Sequence, residues 1–98
     1  MNKHGNNSYE IRYHYLVVKE DLPKLSKDYK LRIKSAIERK LTTRPDIFGK
    51  PLRKSLKGYR KLRVGNYRIV FRAEARVIFI LLIEHRSVVY KEIFKRLT

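Results

Sequence analysis

The stretch that most constrains this chain is "YRKLRVGNYRIVFRA", residues 59–73. Two alternating segments flank Gly65-Asn66, a two-residue β-hairpin signal that favours a turn of type II′ or I′. A two-residue turn dictates the cross-strand partners: Val64 with Tyr67, Arg63 with Arg68, Leu62 with Ile69, Lys61 with Val70, Arg60 with Phe71 and Tyr59 with Arg72. Opposed residues share a face and successive residues alternate. One face therefore collects Leu62, Val64, Tyr67, Ile69 and Phe71, an apolar set fit to lie against helices. The other collects Tyr59, Lys61, Arg63, Arg68 and Arg72, with Val70 among them.

That second face needs a reason. Like charges directly opposed, as in Arg63 and Arg68, cost up to roughly 1 kcal/mol. A merely solvated strand face would do better with threonine or glutamate. A phosphate between the two guanidiniums reverses the sign of the interaction. The whole chain has the same bias: 25 Lys+Arg against 9 Asp+Glu leave a formal charge of +16 on 98 residues. An excess of that size repels itself in the folded state and points to a polyanionic partner, whether nucleic acid, an acidic protein or a membrane surface.

The remaining pattern reads as a small α+β domain. Residues 1–7 are expected to be a disordered terminus and 8–98 a single domain. "YEIRYHY" (9–15) alternates as a first strand. Val18, Leu22 and Leu25 then recur at helical spacing, with Pro23 keeping that helix short. Ser26 stands as an N-cap with Asp28 in the first turn. Over 27–42 a stripe of Tyr29, Ile33, Ala36, Ile37 and Leu41 predicts an amphipathic helix that ends before Pro45. Residues 44–58 hold Pro45, Gly49 and Pro51 and predict a loop with a turn of helix. "RVIFILLIE" (76–84) is apolar without alternation, as a central strand covered on both faces should be. "VVYKEIFKRL" (88–97) predicts a short closing helix. The expected order is β-α-α-β-β-β-α, an antiparallel-rich sheet with the two N-terminal helices on one face.

Several functions are disfavoured by composition. The chain has no cysteine, hence no disulfide, thiolate metal site or cysteine nucleophile. His4, His14 and His85 lack metal-ligand spacing, so no metal is expected. The start "MNKHGNNS" lacks the apolar segment of a signal peptide, and the run Val77 to Ile83 is far short of a membrane span. A cytoplasmic protein without a membrane partner or cofactor is the expectation.

"KSLKGYRKLRVGNYRIVFR", followed about a dozen residues later by "EHRSVVY", resembles the RelE/ParE superfamily of bacterial type II toxins along nearly the whole chain. The resemblance implies a RelE-like fold. It also implies a metal-independent endoribonuclease that cleaves messenger RNA in the ribosomal decoding site. Carried over by position, the two strand lysines of the RelE branch fall on Lys61 and Arg63. The arginine after the turn falls on Arg68, the late arginine on Arg86 and the tyrosine near the end on Tyr90. A one-residue shift in register would put Arg60 in the place of Lys61. Tyr59, Arg60, Arg72 and His85 border the set and are expected to hold RNA.

The implied reaction is attack of a ribose 2′-hydroxyl on the adjacent phosphate, leaving a 2′,3′-cyclic phosphate and a 5′-hydroxyl. Arg68 and Arg86 would stabilise the charge that develops on the phosphate oxygens. Arg63 departs from the branch, which often has lysine there; guanidinium clamps phosphate well but moves protons poorly. Proton transfer then falls to Lys61, Tyr90 or His85, with Tyr90 also able to stack on a splayed base. The resemblance further implies a cognate antitoxin that covers basic surface or displaces the closing helix. Two alternatives stay open: a ParE-like toxin that poisons DNA gyrase without nuclease activity, and a catalytically weak toxin that mainly binds its antitoxin.

Overall fold

The computed structural model describes residues 9–52 and 56–97; the expected disordered segment 1–7 lies outside them. Five strands form one sheet: β1 (Glu10–Tyr13), β2 (Lys50–Pro51), β3 (Arg60–Val64), β4 (Tyr67–Glu74) and β5 (Val77–His85), in the spatial order β1-β5-β4-β3-β2. β1 runs parallel to β5, and the other neighbours are antiparallel. The expected order lacked β2. It is a two-residue edge strand, and Pro51, which cannot donate to a ladder, is tolerated there because no further strand follows.

The β3–β4 register is the one dictated by a two-residue turn, including Arg63 directly opposite Arg68. The ladder stops at the Arg60–Phe71 pair, so Tyr59 does not face Arg72 within it. Gly65 has φ +58° while Asn66 is not in the positive-φ region, the pattern of a type II′ turn. Space also demands glycine there: a Cβ on Gly65 would lie 2.6 Å from the Tyr29 hydroxyl.

Helix α1 (Lys27–Ala36) begins where its cap requires, with the Ser26 hydroxyl accepting from the Tyr29 amide at 3.2 Å. It continues as a wider π-type turn, Ile37–Leu41. Its buried stripe of Ile33, Ala36, Ile37 and Leu41 packs on Leu62, Val64, Ile69, Phe71, Ile80 and Ile83, forming the principal core. The segment before it is less regular than the spacing suggests: a π-type turn, Val17–Asp21, runs into a 3₁₀ turn, Leu22–Lys24, with Pro23 inside the tighter turn. The four-residue helix α2 (Pro45–Phe48) supplies the turn of helix expected in the long loop.

The second sheet face is not simply an open basic surface. Helix α3 (Val89–Leu97) lies on it and buries Val89 and Ile93 with Leu52, Leu56, Val70 and Leu82. Val70, which the alternation placed among the arginines, is wholly buried at the centre of this smaller core. A register irregularity between Val70 and Phe71 makes the division possible. Val70 pairs with Leu82 but Phe71 with Ile80, so Leu81 is the extra residue of a bulge. Ile80 and Ile83 thereby both reach the principal core, while Leu82 reaches the other.

A buried ion pair completes the sheet. β1 ends opposite Ile80, which leaves the backbone of β5 beyond it without a strand partner on that side. Asp21 accepts from the Ile83 amide at 2.9 Å, and Arg96 of α3 donates to the Leu81 carbonyl at 3.1 Å. The two side chains meet each other at 2.7 and 3.2 Å. Such a pair is tolerable in an interior because both carboxylate oxygens and both Nη atoms are hydrogen-bonded. It ties α3 to the segment preceding α1.

Candidate active site

The uncovered end of the second face carries the chemistry. Lys61 and Arg63 on β3 and Arg68 on β4 project from it, joined by Lys50, which pairs with Lys61 across β2–β3. With Phe48 of α2 these side chains line one pocket of about 240 Å³. Lys50 and Phe48 escaped the sequence reading, because a two-residue strand and a four-residue helix leave no periodicity to detect.

Arg68 is less exposed than Arg63 or Arg86. Its Nη1 donates to the Gly65 and Tyr67 carbonyls at 3.1 and 3.0 Å, which fixes its orientation against the turn. Burial lowers its pKa from the ordinary value, and the charges of Arg63 and Arg86 push the same way. Arg68 therefore feels the charge of both neighbours, and an anion placed beside it relieves that repulsion. Arg86 follows β5, where its backbone amide donates to the Asn66 carbonyl at 2.8 Å, so the late loop is bound to the hairpin turn.

Tyr90 enters from α3. The Lys61 ammonium donates to its hydroxyl at 3.3 Å and lies 5.2 Å from its ring centre. The closing helix thus delivers its tyrosine to the strand lysine across 29 residues of sequence. The structure thus brings Lys61, Arg63 and Arg68 to one pocket, with Tyr90 on Lys61 and the charge of Arg86 felt by Arg68.

The flanking residues fall elsewhere. The Arg60 guanidinium bonds the Gly49 carbonyl at 2.6 and 3.0 Å and the Asp46 carbonyl at 2.9 Å, so it braces the α2–β2 corner and does not stand in for Lys61. Tyr59 packs against the smaller core. Arg72 sits farther along β4, 3.5 Å from Glu74 and over the Phe79 ring at 5.2 Å. His85 is directly opposite Tyr67 and so shares its face, on the α1 side of the sheet. Its ring contacts Tyr67 edge-on at 5.7 Å and its Nδ1 meets Ser87 Oγ at 2.8 Å. It cannot relay protons to Lys61 from there. The residue opposed to Arg68 is instead Glu84, a largely buried acid with Lys24 at 3.8 Å.

Among the described residues no group of three or more His, Cys, Asp or Glu is placed to hold a metal, and no helix is long and apolar enough to cross a membrane. What the pocket offers is anchored positive charge beside a lysine–tyrosine pair, on a five-stranded mixed sheet backed by helices.

A small, strongly basic α+β domain with that site belongs to the toxins of type II toxin–antitoxin systems. The model of the ParE toxin family of type II systems (parDE) matches residues 8–90, and the chain is a member of that family within the RelE/ParE superfamily. No relative was found among the curated proteins. Among solved structures, the toxin–antitoxin complex RelBE2 from Mycobacterium tuberculosis is similar, with a TM-score of 0.74 and 29% identity over 82% of this chain and 93% of that one. The RelB–RelE antitoxin–toxin complex from Methanococcus jannaschii follows at 0.65 and 26%, covering 82% and 95%. YafQ from Escherichia coli shares the fold, at 0.55 and 17%, covering 84% and 98%.

Proposed function

We propose that this toxin is a metal-independent endoribonuclease that cleaves messenger RNA at the ribosome and is held in check by a cognate antitoxin. The observation that carries the reading is the convergence of Arg63, Arg68 and Arg86 with the hydrogen-bonded Lys61–Tyr90 pair. The Arg68 guanidinium, held by backbone carbonyls, offers fixed charge where a pentacovalent phosphate develops it, so little reorganisation is needed there during the reaction. Arg68 holds the phosphate, with Arg63 and Arg86 sharing the charge. Lys61 and Tyr90 serve the proton transfers, from the 2′-hydroxyl and to the departing 5′-oxygen. The likeness to RelE toxins captured with their antitoxins supports both the activity class and the partner.

The test is direct. Purified toxin is incubated with ribosomes programmed with a defined message, and RNA ends are mapped. Cleavage within the occupied decoding site, with 2′,3′-cyclic phosphate ends and in the presence of chelator, is the expected result. Intact message at saturating toxin would sink the proposal. The family match to ParE favours a second reading, inhibition of DNA gyrase. Intact message together with blocked supercoiling would establish that one.

A further inference from the structure

Phe48 is more than two-fifths exposed, at 41%, and it lines the basic pocket beside Lys50, Lys61, Arg63 and Arg68. Single exposed apolar side chains are common on protein surfaces and need no explanation. Two features set this one apart: its position within a ring of cations, and the rigidity of the corner that presents it.

The corner is braced from three directions. Pro45 starts α2 and is buried. Gly49, the next residue after Phe48, lies so close beneath Phe71 that a Cβ there would come within 2.2 Å of the ring. Arg60 reaches across from β3 to bond both the Asp46 and Gly49 carbonyls. A long, charged side chain on the strand of the catalytic lysine is thus engaged in holding the peptide on either side of Phe48. Among the described residues, the cation over the face of the ring is the Lys40 ammonium, at 5.6 Å. A lysine over an aromatic face is exchangeable, because its flexible stem lets the ammonium turn to a phosphate when something flat takes its place.

Aromatic faces interleaved with cations are the arrangement by which proteins grip single-stranded nucleic acid: bases stack on rings while the backbone follows the charge. Lys61 links this ring to a second one, since it lines the pocket with Phe48 and contacts Tyr90. We infer that Phe48 is the stacking platform for an unpaired base of the substrate RNA, next to the nucleotide whose phosphate enters the pocket. This rests on the ribonuclease reading and adds to it a subsite that reads nothing but a base's flat face.

The test uses a short single-stranded RNA with a 2′-O-methyl group at the scissile position, so that it binds without being cut. Its affinity is compared for wild type, Phe48→Leu and Phe48→Trp, each with the intact strand and with strands carrying one abasic nucleotide. Phe48→Leu should weaken binding of the intact strand by roughly ten- to hundredfold, and Phe48→Trp should retain it. One abasic position should weaken wild type by a similar factor while leaving Phe48→Leu indifferent, a signature that general loosening of the corner does not produce. Cleavage of message on programmed ribosomes is followed in parallel. Wild type that cleaves, with Phe48→Leu equal to it in cleavage and affinity, overturns the subsite alone. Wild type that neither cleaves nor binds overturns the ribonuclease reading along with it.

Discussion

The two faces of this sheet are built from the same strands and have opposite fates. The face towards α1 is closed: Leu62, Ile69, Phe71, Ile80 and Ile83 are all 0–3% exposed. The face towards α3 is closed only over Val70 and Leu82, and beyond them the cations of β2, β3 and β4 stand around an open pocket. The first face shows what hydrophobic burial does when alternation is allowed to run its course. The second shows a sheet that gives up half of that burial to hold like charges together. The register held by the closed half is what keeps the backbones of the opposed arginines side by side.

If α3 is held to the second face by its ion pair, Asp21→Ala should be the most damaging change. It leaves the buried Arg96 with only the longer Glu20 contact at 3.8 Å as an acidic partner and takes the acceptor from the Ile83 amide, a loss of about 3 kcal/mol. Both faces should suffer, read as a lower denaturant midpoint with an unchanged slope. A loss below about 1 kcal/mol would show the pair behaving as a surface contact and α3 as independently docked.

The open half is probed by Arg68→Ala. Losing one oriented donor to the transition state is worth about 3–4 kcal/mol, on the order of a hundred- to thousandfold in single-turnover cleavage. The melting temperature should hardly move, because the apolar side of β4 is untouched and a like-charge pair disappears. Arg72→Ala, outside the pocket, is the control and should alter the bound rate far less. Equal rates for wild type and Arg68→Ala would make the open half a binding surface only.

Gly65→Ala tests how the closed face and the turn are coupled. The new methyl meets the Tyr29 hydroxyl of α1 at a φ of +58°. A loss of about 1–3 kcal/mol in thermal unfolding is expected. An unchanged melting temperature would mean that α1 yields and that the turn is set by β3 and β4 alone.

The smallest effect is expected at the opposite end of β4. There the turn to β5 uses Ala75 and Arg76 at φ +51° and +69°, both in the left-handed region without glycine. Ala75→Gly should stabilise by about 0.5–1 kcal/mol, the relief of strain outweighing the freedom glycine adds to the unfolded chain. Cleavage should not change, because this turn lies far along the sheet from the pocket. A fall in cleavage would tie the two ends of the sheet together.

Much of this molecule is decided by local rules that a sequence exposes. Gly65-Asn66 between alternating segments dictates register, and register dictates that Arg63 meets Arg68. Ser26 and the stripe from Tyr29 to Leu41 dictate where α1 starts and which side it buries. Those features depend on neighbours a few residues apart, where backbone geometry allows few choices. The remainder was settled only when distant segments met. The bulge at Leu81 moves His85 to the α1 side and sets Glu84 against Arg68, and nothing in an apolar run marks the residue that will be extra. Asp21 finds Arg96 because β1 stops short of the end of β5, a matter of strand lengths on two separate segments. Phe48 and Lys50 join the pocket because Arg60 reaches 11 residues back to the Gly49 carbonyl. Period and propensity act along the chain, whereas pairing ends, bulges and buried charges are resolved by whatever backbone or side chain the folded sheet leaves unsatisfied.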